Sequence, residues 1–180
     1  MDVHADFERV VDEHYPRLYR FARSLSGGED EAGDLTQETF LRYAEKGSQI
    51  RDPSRVKSWL FTTLHREFTS RRRRAARFPH DDLESAEAQL PAVAAEVVDA
   101  LDARTVRAAL DAVDEVFRAP LALFYLDDYS YAEIAAILGI PIGTVMSRLS
   151  RGKAQLKQRL TAARAGETGP VRILPFPRAA

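Results

Sequence analysis

The 180-residue sequence contains no cysteine, which excludes disulfides, thiol nucleophiles and cysteine-ligated zinc. No stretch approaches eighteen uncharged apolar residues, and this excludes a membrane-spanning helix. The N-terminus lacks the basic and then apolar pattern of a secretory signal. The histidines show no zinc-ligand spacing, since they are scattered as His4, His14, His65 and His80. We therefore expect a cytoplasmic protein with no metal site and no membrane insertion.

The usual catalytic motifs are missing as well. The sequence has no P-loop, no Gly-x-Gly-x-x-Gly fingerprint and no Gly-x-Ser-x-Gly elbow. It therefore predicts no catalytic residue and no cofactor, and we expect that the protein is not an enzyme.

A net charge of −1 hides a strong segregation of charge along the chain. Residues 1–78 hold 15 Lys and Arg against 13 Asp and Glu, residues 79–117 hold 2 against 10, and residues 118–180 hold 9 against 4. Either basic end could meet a polyanion such as nucleic acid. Ordinary surface charge is the alternative that this asymmetry leaves open.

The spacing of apolar residues is helical nearly throughout, and no alternating strand pattern occurs. The sequence predicts an all-α protein of two small helical domains joined by an acidic linker, the C-terminal domain containing a helix-turn-helix. The predicted boundaries are 1–78 for the first domain, 79–99 for the linker, 100–163 for the second domain and 164–180 for a Pro-containing tail.

Three helices are predicted in the first domain. The first follows Phe7 to Leu25 and is expected to kink or split at Pro16. The second begins near Glu29–Asp34, where the acidic run favours the earlier start, and continues to about Lys46, after which Gly47 ends it. The third covers residues 54–74 and ends in four consecutive arginines.

A helix-turn-helix is the strongest local signal in the second domain. Ser130 is predicted to cap a short helix from Tyr131 to Leu138, Gly139 marks the turn, and a longer helix begins near Ile142. Polar and basic side chains on the outer face of this second helix could contact duplex DNA: Thr144, Ser147, Arg148 and Arg151. A plain helical hairpin with a solvated basic face is the alternative.

Two further surfaces are candidates for binding. The third helix mixes aromatic and basic residues, which suits single-stranded nucleic acid; its candidates are Trp59, Arg66, Arg71, Arg73 and Arg74. A core tryptophan with a solvated arginine run is the alternative. The second helix carries a charged face that could dock a partner helix or simply be solvated: Asp34, Glu38, Arg42 and Glu45 lie on one side, with Gln37 and Leu41 adjacent.

Taken in order, these segments resemble the extracytoplasmic-function (ECF) group of bacterial RNA polymerase sigma factors. The resemblance covers about residues 5–76 and 100–160. The motifs that carry it are residues 34–42 (DLTQETFLR), 56–62 (VKSWLFT), 71–74 (RRRR), 131–145 (YAEIAAILGIPIGTV) and 147–152 (SRLSRG).

The resemblance implies a function for each surface. The second helix would dock on the coiled coil of the largest subunit of core RNA polymerase. The third helix would open and read the minus-ten element of promoter DNA, and the last helix would read the minus-thirty-five element. An anti-sigma factor is implied as a further partner.

Three positions depart from the family's pattern. Arg66 stands where the family often has Asn, Ser70 where it has Asp, and Met146 where a basic residue is common. Met146 cannot donate an N–H to a base edge, so we expect an altered upstream preference. Three other readings remain: a helix-turn-helix regulator that binds DNA without polymerase, an enzyme, and an adaptor that binds only protein.

Overall fold

The structure is a computed structural model that describes residues 3–77 and 107–165. Every regular element in these two ranges is a helix, and the all-α prediction is confirmed. The chain divides into two helical units, which are described separately. The predicted linker, 79–99, and the tail beyond residue 165 lie outside the described residues.

The first unit contains three long helices. They are α1 (Val3–Ser26), α2 (Glu29–Lys46) and α3 (Val56–Arg77), with two short 3₁₀ turns, Gly47–Gln49 and Pro53–Arg55, between α2 and α3. The predicted bounds of α2 are confirmed. Its first turn is acidic and its last turn is basic, and both charges interact favourably with the helix dipole. The predicted third helix is also confirmed, with its last residue at Arg77 instead of Arg74.

Of the kink or split expected at Pro16, the split is wrong, because α1 continues through Pro16 as one helix, and the kink stays a prediction. Pro16 is exposed, so the backbone carbonyl that its ring leaves unpaired can face water. The following turns are held by Leu18, Phe21 and Leu25, which are almost completely buried. Tertiary packing therefore outweighs the local preference of proline to end a helix.

The core of the first unit lies where the three helices meet. The rings of Phe21 on α1 and Phe61 on α3 are 5.2 Å apart between centroids. Leu35 on α2 and Leu64 on α3 are fully buried beside them. This packing fixes the opposite, outward faces of α2 and α3, which carry the candidate binding residues.

The second unit contains α4 (residues 107–111), α5 (Glu115–Asp127), α6 (Tyr131–Leu138) and α7 (Ile142–Ala165). Gly152 marks the closest approach of α7 to α5, since a Cβ there would lie 2.9 Å from Phe117 Cβ. Gln155 on α7 ties down the start of α5: its amide accepts from the Asp114 N–H at 3.1 Å and donates to the Asp114 carboxylate at 2.7 Å.

Candidate polymerase and promoter interfaces

The outward face of α2 combines polar residues with one large apolar side chain. Asp34, Gln37, Glu38 and Leu41 follow the i, i+3, i+4, i+7 spacing of one helical face. Asp34 and Gln37 are exposed, and Leu41, one turn beyond Gln37 at the C-terminal end of the face, is 54% exposed. The structure therefore brings these predicted residues together beside an accessible leucine, as a helix-docking surface requires.

Arg42 lies beside this face and connects α2 to α3. Its guanidinium is 3.2 Å from Glu38 Oε1 through Nη2 and 2.9 Å from Glu67 Oε1 through Nε. Glu67, on α3, is the more buried carboxylate, with 16% of its side chain exposed. Sequence reasoning missed Glu67, although it is the only acidic residue in α3, which otherwise carries Lys and Arg. Glu38 and Arg42 therefore take part in a tie between the two helices.

Removing the ion pair between Arg42 and Glu67 should lower the stability of the chain even when no partner is bound. We expect that Arg42→Ala lowers the free energy of unfolding by about 1–2 kcal/mol, because Glu67 is left partly buried without its cation. Urea unfolding followed by circular dichroism measures the loss. The double variant Arg42→Ala/Glu67→Gln should recover part of it, and an unchanged unfolding midpoint in Arg42→Ala would contradict the tie.

The outward face of α3 carries three of the five predicted minus-ten residues. Trp59, Arg66 and Arg73 are seven residues apart, so two turns of helix bring each onto the same side. The buried side of the helix is formed by Leu60, Phe61, Leu64 and Phe68 with Val56. Arg74 lies to one side of this face, and Arg71 is half-buried towards the packed side. The structure therefore groups Trp59, Arg66 and Arg73, and separates Arg71 and Arg74 from them.

Trp59 is partly packed and partly accessible. Its ring meets Tyr43 of α2 edge-on with centroids 6.0 Å apart, and Tyr43 in turn stacks with Phe7 of α1 at 6.2 Å. Burial raises the pKa of the Tyr43 phenol, with Asp6 adding to the rise and Arg9 opposing it, so the phenol stays protonated at neutral pH. This aromatic row orients the indole and leaves part of it at the surface.

The arginine run at the end of α3 is held loosely by its own helix. Arg73 Nε donates to the Thr69 carbonyl at 3.4 Å, and Arg74 Nη2 donates to Ser70 Oγ at 3.3 Å. The guanidinium of Arg72 lies 5.4 Å from the Phe68 ring centroid, a cation–π distance. The contacts of Arg73 and Arg74 are long and local and both side chains are exposed, so these two arginines can turn towards a phosphate at little cost.

The turn between α6 and α7 is defined by local chemistry. Ser130 and Glu133 form a reciprocal capping box: the Ser130 N–H donates to Glu133 Oε2 at 2.8 Å, and the Glu133 N–H donates to Ser130 Oγ at 3.3 Å. Gly139 ends α6 with a φ of 65°. The two helices are bent by 104°, within the range of DNA-binding helix-turn-helix motifs. The predicted cap, helix and turn are confirmed.

The conformation of Gly139 yields a matched pair of variants. Gly139→Ala should lower the free energy of unfolding by about 1 kcal/mol, because φ of 65° strains any residue with a Cβ. Gly143→Ala, in the first turn of α7, should be neutral or stabilising, since its φ is helical and nothing lies within 4 Å of the added Cβ. Thermal unfolding compares the two, and an equal effect of both changes would contradict this assignment.

The outward face of α7 holds all four predicted minus-thirty-five residues. They follow the i, i+3, i+4, i+7 spacing of one face: Thr144, Ser147, Arg148 and Arg151. Val145 and Leu149 are buried on the other side of the helix. Ser147 Oγ donates to the Thr144 carbonyl at 3.0 Å. All charged residues of α7 are Lys or Arg, so the helix presents donors to an anionic partner.

Residues 3–77 and 107–165 contain no cluster of His, Asp and Glu that could hold a metal ion. His14 is buried, and burial lowers the pKa of its imidazole, with Lys57 and Arg17 acting in the same direction against Glu13. No single helix of the described part could span a membrane, although the bent pair of α6 and α7 passes the same test of length and composition when taken together.

Comparison with protein-family models identifies both units. Residues 10–78 match Sigma-70 region 2, and residues 103–156 match Sigma-70 region 4. These two regions in this order define a sigma-type transcription initiation factor, which directs RNA polymerase to specific promoters.

Curated relatives narrow the class. SigE of Mycolicibacterium smegmatis is 35% identical over 158 residues, EcfG of Rhodopseudomonas palustris is 36% identical over 155, and SigL of Mycobacterium tuberculosis is 36% identical over 165. Each match covers 86–88% of this chain, and the chain spans 61%, 85% and 90% of the three relatives. All three are named as ECF RNA polymerase sigma factors. The chain belongs to this ECF group, and the family predicted from its motifs is confirmed.

Solved structures agree with this assignment. The sigma factor RpoE, solved in complex with the anti-sigma factor NepR from Bartonella quintana, has a TM-score of 0.72 and 33% identity, covering 88% of this chain and 99% of that one. CnrH, solved with the cytosolic domain of CnrY, has a TM-score of 0.60 and 25% identity, covering 92% of this chain and 91% of that one. The two-unit helical fold is therefore shared with sigma factors.

Proposed function

We propose that this chain is the specificity subunit of a bacterial RNA polymerase and reads two separate promoter elements. Residues 1–78 bind core polymerase and the minus-ten element, and residues 100–163 bind the minus-thirty-five element. The linker, 79–99, spans at most roughly 70 Å when extended, so the two domains can occupy elements more than one helical turn apart. The tail, 164–180, has no assigned role. The chain acts in the cytoplasm, forms no covalent bond and uses no cofactor, so it is not an enzyme.

The observation that carries this proposal is the outward face of α7. Four polar or basic side chains share one face of a helix without acidic residues, and this helix leaves α6 at 104°. In a major groove, Arg148 and Arg151 reach base edges or phosphates, while Thr144 and Ser147 offer hydroxyls. Each good bidentate contact contributes about 1–3 kcal/mol of discrimination between bases.

The minus-ten element is held by the outward face of α3. Trp59 offers a flat ring on which an unstacked base can stack, and Arg66 and Arg73 follow the strand backbone on the same face. Arg71 and Arg74 add charge at the end of the helix. Unstacking a base costs a few kcal/mol, which binding of the exposed strand offsets. The protein thereby favours the melted state of the promoter because it binds that state more tightly.

Core polymerase binds the outward face of α2. Asp34 and Gln37 contact the coiled coil of the largest subunit directly, and Leu41 packs against it one turn beyond Gln37. Glu38 and Arg42 contribute through their exposed atoms while they hold α2 against α3. An anti-sigma factor that covers this face would block polymerase, and the complex of RpoE with NepR supports such a partner for this chain as well.

Run-off transcription with purified core polymerase tests the proposal. A library of promoters randomised at both elements should yield a defined start site only when the chain is added. A regulator that works alone would instead bind specific DNA without polymerase, and a protein-only adaptor would select no DNA sequence. If the chain neither co-purifies with core polymerase nor directs it to a start site, the proposal is wrong.

A further inference from the structure

Two large apolar side chains are exposed at the start of α7. Ile142 is 50% exposed and Met146 is 53% exposed, although both belong to the first five residues of the helix. They are four residues apart and therefore lie on the same side, one turn above the other. Gly143 and Ser147, both exposed, separate this apolar pair from Arg148 and Arg151 on the other flank.

The charge of α7 indicates what covers this pair. The helix contains six Lys or Arg residues and no acidic residue, so its outward surface favours a polyanion over an ordinary protein partner. Gly143 adds no side chain between the two flanks, and the space around it is open. Ser147 lies between the two flanks, so a DNA duplex that contacts Ser147 would also approach Met146 beside it and Ile142 one turn earlier.

The major groove offers one apolar group at base edges, the C5-methyl group of thymine. We propose that Ile142 and Met146 select thymine in the upstream promoter element by packing against C5-methyl groups. Met146 has an unbranched and adaptable side chain, whereas Ile142 is stiff at χ1, so the two can fit methyl groups on neighbouring base pairs. This inference rests on the proposed placement of α7 in the major groove of that element.

Replacing single thymines by uracil tests the inference, because only the methyl group is removed. The full-length chain, bound to core polymerase, is assayed by run-off transcription on the promoter selected from the randomised library. At one or two upstream thymines, uracil should reduce initiation about three- to fivefold, the effect of losing one buried methyl contact. In Met146→Ala or Ile142→Ala holoenzyme the thymine-to-uracil ratio at the matching position should fall to about one, while Met146→Leu should keep it.

Controls separate this inference from the proposed function. Uracil at thymines outside the upstream element should have no effect, and Gln158→Ala, an exposed change more than three turns further along the same helix, should keep the parent ratio. If promoters are selected but every uracil is neutral, or if the selected element contains no thymine, methyl recognition is wrong and the proposed function stands. If both alanine variants fail to form holoenzyme, and initiation is therefore lost equally on thymine and uracil templates, the pair binds protein. The inference is then also wrong. Failure to select any upstream sequence would reject the placement of α7 itself.

Discussion

Replacing Arg148 and Arg151 together with alanine is expected to reduce initiation at promoters with an intact upstream element by at least about 30-fold. Each guanidinium is placed to make a contact worth about 1–3 kcal/mol, and the two lie one turn apart on the same face of α7. Run-off transcription on the selected promoter measures the loss. The free energy of unfolding should change little, since the buried side of the helix is formed by Val145 and Leu149.

A matched control removes the same charge elsewhere on the helix. Lys157→Ala/Arg159→Ala also deletes two exposed cations from α7, but these lie beyond the proposed reading face. We expect that initiation by this control variant falls a few-fold at most, and that it depends less on salt concentration than initiation by the parent chain. Arg148→Lys/Arg151→Lys should fall between the parent and the double alanine variant, because lysine keeps the charge and loses the bidentate geometry. Full promoter selectivity in the double alanine variant would exclude α7 as the reader.

Introducing a charge at Leu41 is expected to weaken the binding of core polymerase by at least about 30-fold. The side chain is 54% exposed on the outward face of α2, and a carboxylate there would be desolvated against a partner helix without a counter-ion. The variant Leu41→Asp introduces this charge. Titrating the labelled chain with core polymerase and following its fluorescence anisotropy measures the change in affinity. The helix itself should remain folded, since Leu41 takes no part in the core.

Two further variants define the result for Leu41. Leu41→Met keeps an apolar side chain of similar volume and should bind core polymerase nearly as well as the parent. Gln49→Asp places the same new charge on an exposed residue after α2 and should have no effect on affinity. Equal binding by Leu41→Asp and the parent would show that polymerase docks elsewhere, and the proposed roles of Asp34 and Gln37 would then be wrong too.

The elements with strong local signals were predicted from the sequence with correct bounds. Ser130 and Glu133 are three residues apart, Gly139 lies just past the helix end, and both signals act within a few residues. Pro16 shows the opposite case, since its local preference predicted a kink or a split and α1 is not split there. The buried residues that follow it decide this conformation, and they act through contacts with α2 and α3 that lie far away in the sequence.

The candidate faces were predicted to different degrees for the same reason. Residues that share one helix, such as Thr144 and Arg151, can be grouped by spacing alone because 3.6 residues make a turn. Spacing also separates Arg71 from Trp59 on α3, once the buried face of that helix is known. Which face of α3 is buried depends on the neighbouring helices. The five minus-ten residues predicted from the sequence therefore included three that share the outward face and two, Arg71 and Arg74, that do not.

The local motifs, with their order and spacing, carried the resemblance to the ECF sigma-factor family, whereas the helical periodicity predicted the all-α fold and the segregation of charge predicted two basic ends. These are properties of short segments and of the order of those segments along the chain, so they do not depend on the tertiary structure. Only the tertiary structure revealed that Arg42 bridges Glu38 to Glu67, that Gly152 allows α7 to approach Phe117, and that Ile142 and Met146 remain exposed. These facts join residues up to 35 positions apart or depend on what covers a side chain, and packing between helices determines both.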